Sequence, residues 1–281
     1  MKPRSFVLSS VTAAALMVPA QSVLADATVF AFNMRGTTQF MSFDLANPGG
    51  TQNIIASGVN WRTYAMDFDL AGQNLYILEN LELPFGGTAN IGTVDLATGA
   101  VNYITGITGD AAGVSLGGLA FSPNGLVYAN SSDSLYTIDL VTGNTSLVGS
   151  WDGELMIDIA VDNNGVIYGH GITSDALFTI DANTAELNLV GTHGLAANFA
   201  QGMGFDRTTN ELYATIYTGG GSGQFVHWNT TDGSVDAIFD TSVWGTAGAE
   251  MTMAIQSALP APGAMALLGL AGLVGARRRR A

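Results

Sequence analysis

A motif that recurs five times constrains this chain more than any other feature. It is a short strand ending in an acid or its amide, followed by a turn. The copies read Phe40-Met41-Ser42-Phe43-Asp44, Ile91-Gly92-Thr93-Val94-Asp95, Leu135-Tyr136-Thr137-Ile138-Asp139, Leu177-Phe178-Thr179-Ile180-Asp181 and Phe225-Val226-His227-Trp228-Asn229. Apolar residues alternate with Ser or Thr, the two-residue period of a strand. Turns such as Ala97-Thr98-Gly99 and Val141-Thr142-Gly143 follow. There the acid can bond the turn backbone and Gly accepts a positive φ. A second strand carries Ile104, Val148, Val190 and Ile238, each nine positions past the acid; Pro48-Gly49-Gly50 lengthens the first unit and puts Ile55 at eleven.

A second hairpin lies between these units. Its first strand carries Met66-Asp67-Phe68-Asp69, Leu119-Ala120-Phe121-Ser122, Ile159-Ala160-Val161-Asp162 and Met203-Gly204-Phe205-Asp206. Its second strand carries Leu75-Tyr76, Val127-Tyr128, Ile167-Tyr168 and Leu212-Tyr213. Asn124-Gly125 and Asn164-Gly165 stand in the turns, and such pairs are strong hairpin signals. Val29-Phe30-Ala31-Phe32 matches the tyrosine strand without an upstream partner, and Met253-Ala254-Ile255-Gln256 matches that missing partner. Together the two ends make a fifth hairpin and close a ring.

Successive acids stand 51, 44, 42 and 48 residues apart. Four strands per unit at that spacing predict an all-β fold, a five-bladed β-propeller of four-stranded blades, with the Met66-Asp67 strand type innermost. Residues 27–256 resemble the repeat propellers of exported bacterial proteins in architecture and repeat style. A β-helix would want shorter repeats, and a sandwich would not need five.

Charge is confined by region. Lys2 and Arg4 open the chain and Arg277, Arg278, Arg279 and Arg280 close it, while only Arg35, Arg62 and Arg207 accompany all 23 acids in the body. A body of net charge −20 repels phosphate backbones, which excludes nucleic acid as an expected partner. The absence of cysteine excludes disulfides, zinc–thiolate sites, Fe–S clusters and thiol catalysis.

The ends predict three segments: a leader over 1–25, the propeller over 26–257 and a tail over 258–281. Basic Lys2 and Arg4, apolar Val11 to Ala20 and small Val23-Leu24-Ala25 have the order of a secretory signal peptide. At the other end Pro260-Ala261-Pro262-Gly263 precedes an apolar run from Ala264 to Ala276 and four arginines. Those apolar residues rise only ~20 Å as a helix, short of the ~30 Å hydrocarbon core. A transmembrane helix here is a transient stop, with the arginines held on the cytoplasmic side. The order of parts resembles the PEP-CTERM sorting tail, although Pro260-Ala261-Pro262 stands where that family has Pro-Glu-Pro. The resemblance implies export, cleavage near the proline motif by an exosortase-like membrane enzyme, and residence at the cell surface or in extracellular matrix.

Loops between the two hairpin types vary in length, and variable loops on one face of a regular scaffold are where function concentrates. That face is expected to hold Asn60, Trp61, Arg62, Glu79, Glu82, Asp110, Trp151, Asp152, Glu154, His193, Asn198, Trp244 and Glu250. Trp61, Arg62, Trp151, Asp152 and Trp244 are the ligand-binding candidates, since indoles and polar groups can stack on and bond a sugar. The alternative is that these aromatics close the blade tops. For a propeller-fold glycoside hydrolase the candidate carboxylates are Asp67, Asp158, Glu154 and Glu250, of which Asp67 and Asp158 lie on inner strands. Those two could also ligate calcium in a scaffold without a specific ligand, although no Asp-x-Asp-x-Asp-Gly loop occurs. Asp69, Asp162 and Asp206 share a turn-capping column. His170, His193 and His227 read as structural, with no paired histidine at ligand spacing from His193. Gly-x-Ser-x-Gly and P-loop motifs are absent, and Gly219 to Gly223 reads as a loop. The expected function is a non-enzymatic module for a polysaccharide or a surface protein, without a cofactor.

Overall fold

The computed structural model describes residues 27–34, 36–81, 87–199, 201–248 and 250–257. The expected leader over 1–25, the tail over 258–281 and Glu82 lie outside them. Blade 1 contains β1 (Thr28–Asn33), β2 (Gln39–Asp44) and β3 (Asn53–Ser57). Blade 2 contains β4 (Thr63–Phe68), β5 (Leu75–Asn80), β6 (Thr88–Val94) and β7 (Val101–Gly106). The short β8 (Thr108–Gly109) precedes blade 3, made of β9 (Gly118–Phe121), β10 (Val127–Asn130), β11 (Ser134–Ile138) and β12 (Asn144–Ser150). Blade 4 contains β13 (Met156–Val161), β14 (Ile167–Gly171), β15 (Ala176–Ile180) and β16 (Leu187–Thr192). Blade 5 contains β17 (Gly202–Asp206), β18 (Glu211–Gly219), β19 (Ser222–Trp228) and β20 (Val235–Asp240).

The last strand, β21 (Met251–Gln256), returns to blade 1. It pairs antiparallel with β1, from Thr28 opposite Gln256 to Asn33 opposite Met251. The two chain ends therefore seal one blade. The inner strands β21, β4, β9, β13 and β17 touch in succession around the axis. The fold is the five-bladed propeller that the repeat predicts.

The core lies between blades, because each blade is a sheet packed on both faces. The aromatic of a second strand meets the inner strand of the next blade. Phe30 lies 5.6 Å from Phe68, Tyr76 lies 5.2 Å from Phe121 and Tyr168 lies 5.5 Å from Phe205. Tyr128 with Val161, and Tyr213 with Ile255, fill the same place with an aliphatic partner. The inner strands β9 and β17 are buried throughout, whereas the outer strand β7 has four exposed residues. Burial follows depth: the inner strands are mostly buried, and β7, β16 and β20 on the outside have no buried residue.

The outer strand of every blade carries the same irregularity. Pairing between third and fourth strands slips past Ile55, Ile104, Val148, Val190 and Ile238. These are the β-branched residues that recur behind the turn acid, and each is a β-bulge. A bulge adds twist and bends an edge away from pairing with another chain. Blade 3 is protected further, since β8 pairs parallel with β12. Among the described residues no helix is long and apolar enough to cross a membrane.

Candidate functional site

Asp95, Asp139, Asp181 and Asn229 do what their column predicts. Asp95 Oδ1 accepts the N–H groups of Ala97 and Thr98, and Asp139 and Asp181 repeat the pattern. These hydrogen bonds favour the ionised form and hold all three carboxyls below the ordinary carboxylate range, for Asp95 with Thr98 as the leading cause. Asp69, Asp162 and Asp206 cap the inner hairpins in the same way. All of these turns lie at one end of the ring. The connections between blades and the loops between second and third strands lie at the other, which is the loop face.

The loop-face tryptophans are built into the fold. Trp61 is 7% exposed and sits 5.0 Å from Phe32 and 4.8 Å from Phe40. Trp151 is 8% exposed, and its Nε1 donates to Ser132 O at 3.3 Å. Half-buried Trp244 packs 5.2 Å from Phe43 and 4.9 Å from Phe239. The indoles thus close the tops of blades. Arg62 is exposed, its guanidinium donating to Leu81 O, and Asp152 is exposed as well. Leu81, Phe199 and Val243 add exposed apolar side chains to this face.

Other loop-face polar residues serve the scaffold. Asp110 Oδ2 accepts the N–H of Leu147 and helps hold β8 on β12. Glu79 accepts from Asn90 Nδ2 and from the Tyr103 hydroxyl at 2.6 Å; burial and this bond push the Tyr103 hydroxyl up to about 12. Asn198 Oδ1 accepts the N–H of Phe199.

Each candidate hydrolase carboxylate has a definite place. Asp67 Oδ1 accepts Phe68 N–H, and its Oδ2 accepts the N–H of Phe121 in blade 3 at 3.0 Å. The same oxygen lies 3.9 Å from Arg207 Nη2, which also donates to Phe121 O at 2.7 Å. Asp158 Oδ1 accepts Ile159 N–H and its Oδ2 accepts the N–H of Met203 in blade 5. Burial raises Asp67 to about 6 despite Arg207 and raises Asp158 well above the carboxylate range, with the Asp67 charge adding to the second shift. Glu154 caps the turn after β14, accepting from Thr173 N and Ser174 Oγ at 2.7 Å each. Glu250 is buried, and its backbone O accepts Met34 N–H. Two open hollows of about 410 and 340 Å³ lie on the tight-turn side. Their acids, Asp139 and Asp206, are turn caps.

Folding brings two histidines together. No histidine stands at ligand spacing from His193 in the sequence, yet folding places its Nε2 3.1 Å from His170 Nε2. The two lie 23 residues apart, on β14 and on the connection after β16, so no local spacing reveals the pair. His227 packs 5.3 Å from the Tyr213 ring on an ordinary strand position. Among the described residues no three His, Asp or Glu side chains are grouped to hold a metal ion.

No family model and no curated relative matches the chain. Solved structures do match. A chain of the nidogen/laminin complex is 13% identical with a TM-score of 0.52, over 83% of this chain and 99% of that one. An auxiliary nutrient-binding protein from Bacteroides ovatus is 13% identical over 73% and 53% of the two chains, with a TM-score of 0.44. The calcium-binding protein regucalcin from Agrobacterium tumefaciens is 15% identical over 66% of each chain, with a TM-score of 0.41. At 13% identity the likeness to the nidogen/laminin chain is one of fold alone.

Proposed function

We propose that the chain is an exported propeller that works at the cell surface or in extracellular matrix as a non-catalytic binding scaffold, its loop face turned to a protein partner. The observation that carries this reading is the division of labour on that face. Of the tryptophans that would stack a sugar, Trp61 and Trp244 pack on blade aromatics and Trp151 is buried, while Leu81, Phe199 and Val243 are 59, 50 and 67% exposed. Exposed apolar groups on this face, with Leu81 beside the Arg62 guanidinium, suit a protein surface better than a polysaccharide. Asp67, Asp158 and Glu154 hold backbone N–H groups of the scaffold, which supports a structural use of these acids.

The export address rests on the leader-like residues before Asp26 and on the tail that resembles a PEP-CTERM signal. An exosortase-like enzyme would act near Pro260-Ala261-Pro262. The test is cross-linking on intact producing cells, with glycan-array binding and glycoside hydrolysis measured in parallel. A protein cross-linked by the parent and lost in a Leu81→Ser, Phe199→Ser, Val243→Ser variant supports the reading. Glycan binding unaffected by that variant, or hydrolysis abolished by Asp67→Asn, sinks it.

A further inference from the structure

We propose that His170 and His193 form an acid-sensitive latch on the 193–199 connection of the loop face. The pair sits where blade 4 meets blade 5. His170, on β14, is wholly buried, and both imidazoles stand edge-on to the Trp228 ring at 4.8 and 5.2 Å. Trp228 is itself fixed, its Nε1 donating to Gly233 O at 2.9 Å.

The hydrogen bonds dictate where the protons sit. His193 Nδ1 accepts the N–H of Leu195 at 3.3 Å. A neutral imidazole carries one proton, so that of His193 is on Nε2 and points to His170 Nε2 at 3.1 Å. The proton of His170 is then on Nδ1, which is buried without a partner. A further proton has two places to go. On His193 Nδ1 it would face the Leu195 N–H; on His170 Nε2 it would face the Nε2–H of His193. Either sets two donors against each other.

Protonation therefore breaks one end of the latch. The same tautomer argues against a metal clamp, because a ligating nitrogen needs a free lone pair and Nε2 of His193 carries its proton.

Two carboxylates face the pair from adjoining elements. Asp175 accepts His193 N–H on its backbone O and Ala197 N–H on its Oδ1, holding the same connection, and its charge favours protonation of His193. Asp158 stands opposite His170 in the β13–β14 register, its carboxyl turned to Met203. Burial dominates both imidazoles and lowers them below 6.5, His170 well below, with His193 adding to the second shift. A lowered imidazole contributes fully above the unfolded value and loses its contribution as pH falls through the folded one. The latch is closed at neutral pH and opens on acidification.

The loop belongs to the face assigned above to a partner, but the test reads the loop alone, so either reading can fail without the other. Amide hydrogen exchange of the full chain, corrected for intrinsic rates, is followed from about pH 7.5 to about pH 5. Protection of Leu195 and Ala197, relative to Val161, falls by up to about tenfold per pH unit as pH drops below about 6.5, the ordinary value of the released imidazole. In His193→Asn the amide oxygen replaces the Nδ1 acceptor without titrating, and protection stays level. Flat protection in the parent, or an equal fall in His193→Asn, overturns the latch. Nitrogen chemical shifts of the unmutated chain decide the matter should that variant not fold: Nε2–H on His193 supports the latch, and Nδ1–H overturns it. Stoichiometric zinc binding that disappears in either His→Asn variant also overturns it.

Discussion

Asp158 reaches out of blade 4 to accept the backbone N–H of Met203 in blade 5 at 2.8 Å. Met203 lies on an inner strand, the edge of its sheet, where a backbone donor has no neighbouring strand to satisfy it. Asp67 does the same for Phe121 across the boundary between blades 2 and 3. The inner carboxylates thus act as side-chain acceptors for edges that the ring cannot pair. Asp158→Ala should cost about 2–3 kcal/mol, because it removes an acceptor and leaves a buried donor unsatisfied. Urea unfolding at about pH 4, below the range where the raised acid loses its contribution, measures it, and a loss under about 0.5 kcal/mol would contradict this role.

The raised acids make stability fall as pH rises. Asp67, lifted from 3.8 to about 6, holds a proton in the folded state that the unfolded chain has released. Its contribution is complete below about pH 4 and declines as pH climbs through about 6. Asp158 shifts in the same direction. Urea midpoints between about pH 4 and pH 6.5 should show this decline, and Asp67→Asn should flatten it by roughly 3 kcal/mol in total. A variant with the parent's slope would show that Asp67 titrates normally.

Arg207 spans the axis from the blade 5 turn to the boundary of blades 2 and 3. Its removal takes the compensating cation from the Asp67 carboxylate, so Arg207→Met should destabilise by about 3 kcal/mol. Adding Asp67→Asn removes the stranded charge and should recover at least half of that loss. A double-mutant cycle by thermal or urea unfolding measures the coupling, and strict additivity would dismiss the pair.

Rim packing predicts a contrast between two glycines. Gly143 has φ +73° and its absent Cβ would lie 1.9 Å from Gly106 O, the point where adjacent blades touch. Gly153 has φ +81° with nothing within 4 Å. Gly153→Ala should cost only the left-handed backbone term of about 1–2 kcal/mol, and Gly143→Ala at least about 1 kcal/mol more. Equal melting temperatures for the two variants would mean that the rim relaxes freely.

Neighbouring loop-face residues should separate scaffold from surface. Trp61→Ala empties a site between Phe32 and Phe40 and should cost about 3–5 kcal/mol. Arg62→Ala, at an exposed side chain, should stay within about 0.5 kcal/mol. Should Trp61→Ala leave the chain as stable as the parent while weakening partner binding, the indole belongs to the binding surface instead.

The strand order and the blade count were legible because the hairpins recur along the chain, and the closing blade because Val29-Phe30-Ala31-Phe32 and Met253-Ala254-Ile255-Gln256 are its two separated strands. The bulge was visible only as a column of β-branched residues; its meaning needed the register past Ile55, Ile104, Val148, Val190 and Ile238. The loop face was legible as a face but not in its parts. Hydrophobicity alone does not distinguish Trp61, packed on Phe32, from Phe199, left half in water. Arg207 escaped notice because its contacts, Phe121 and Asp67, are more than 80 residues away.

What the sequence by itself determined is the architecture. Period-2 alternation, turn acids and a repeat near 45 residues are local, and local rules repeated five times leave a ring as the arrangement that joins both chain ends. What only the tertiary structure decided is chemistry between blades: which N–H groups Asp67 and Asp158 hold, which indoles are buried, and that His170 meets His193. Those contacts join residues of different blades or of distant segments within one. Their energies depend on distance and desolvation, quantities that sequence spacing does not carry.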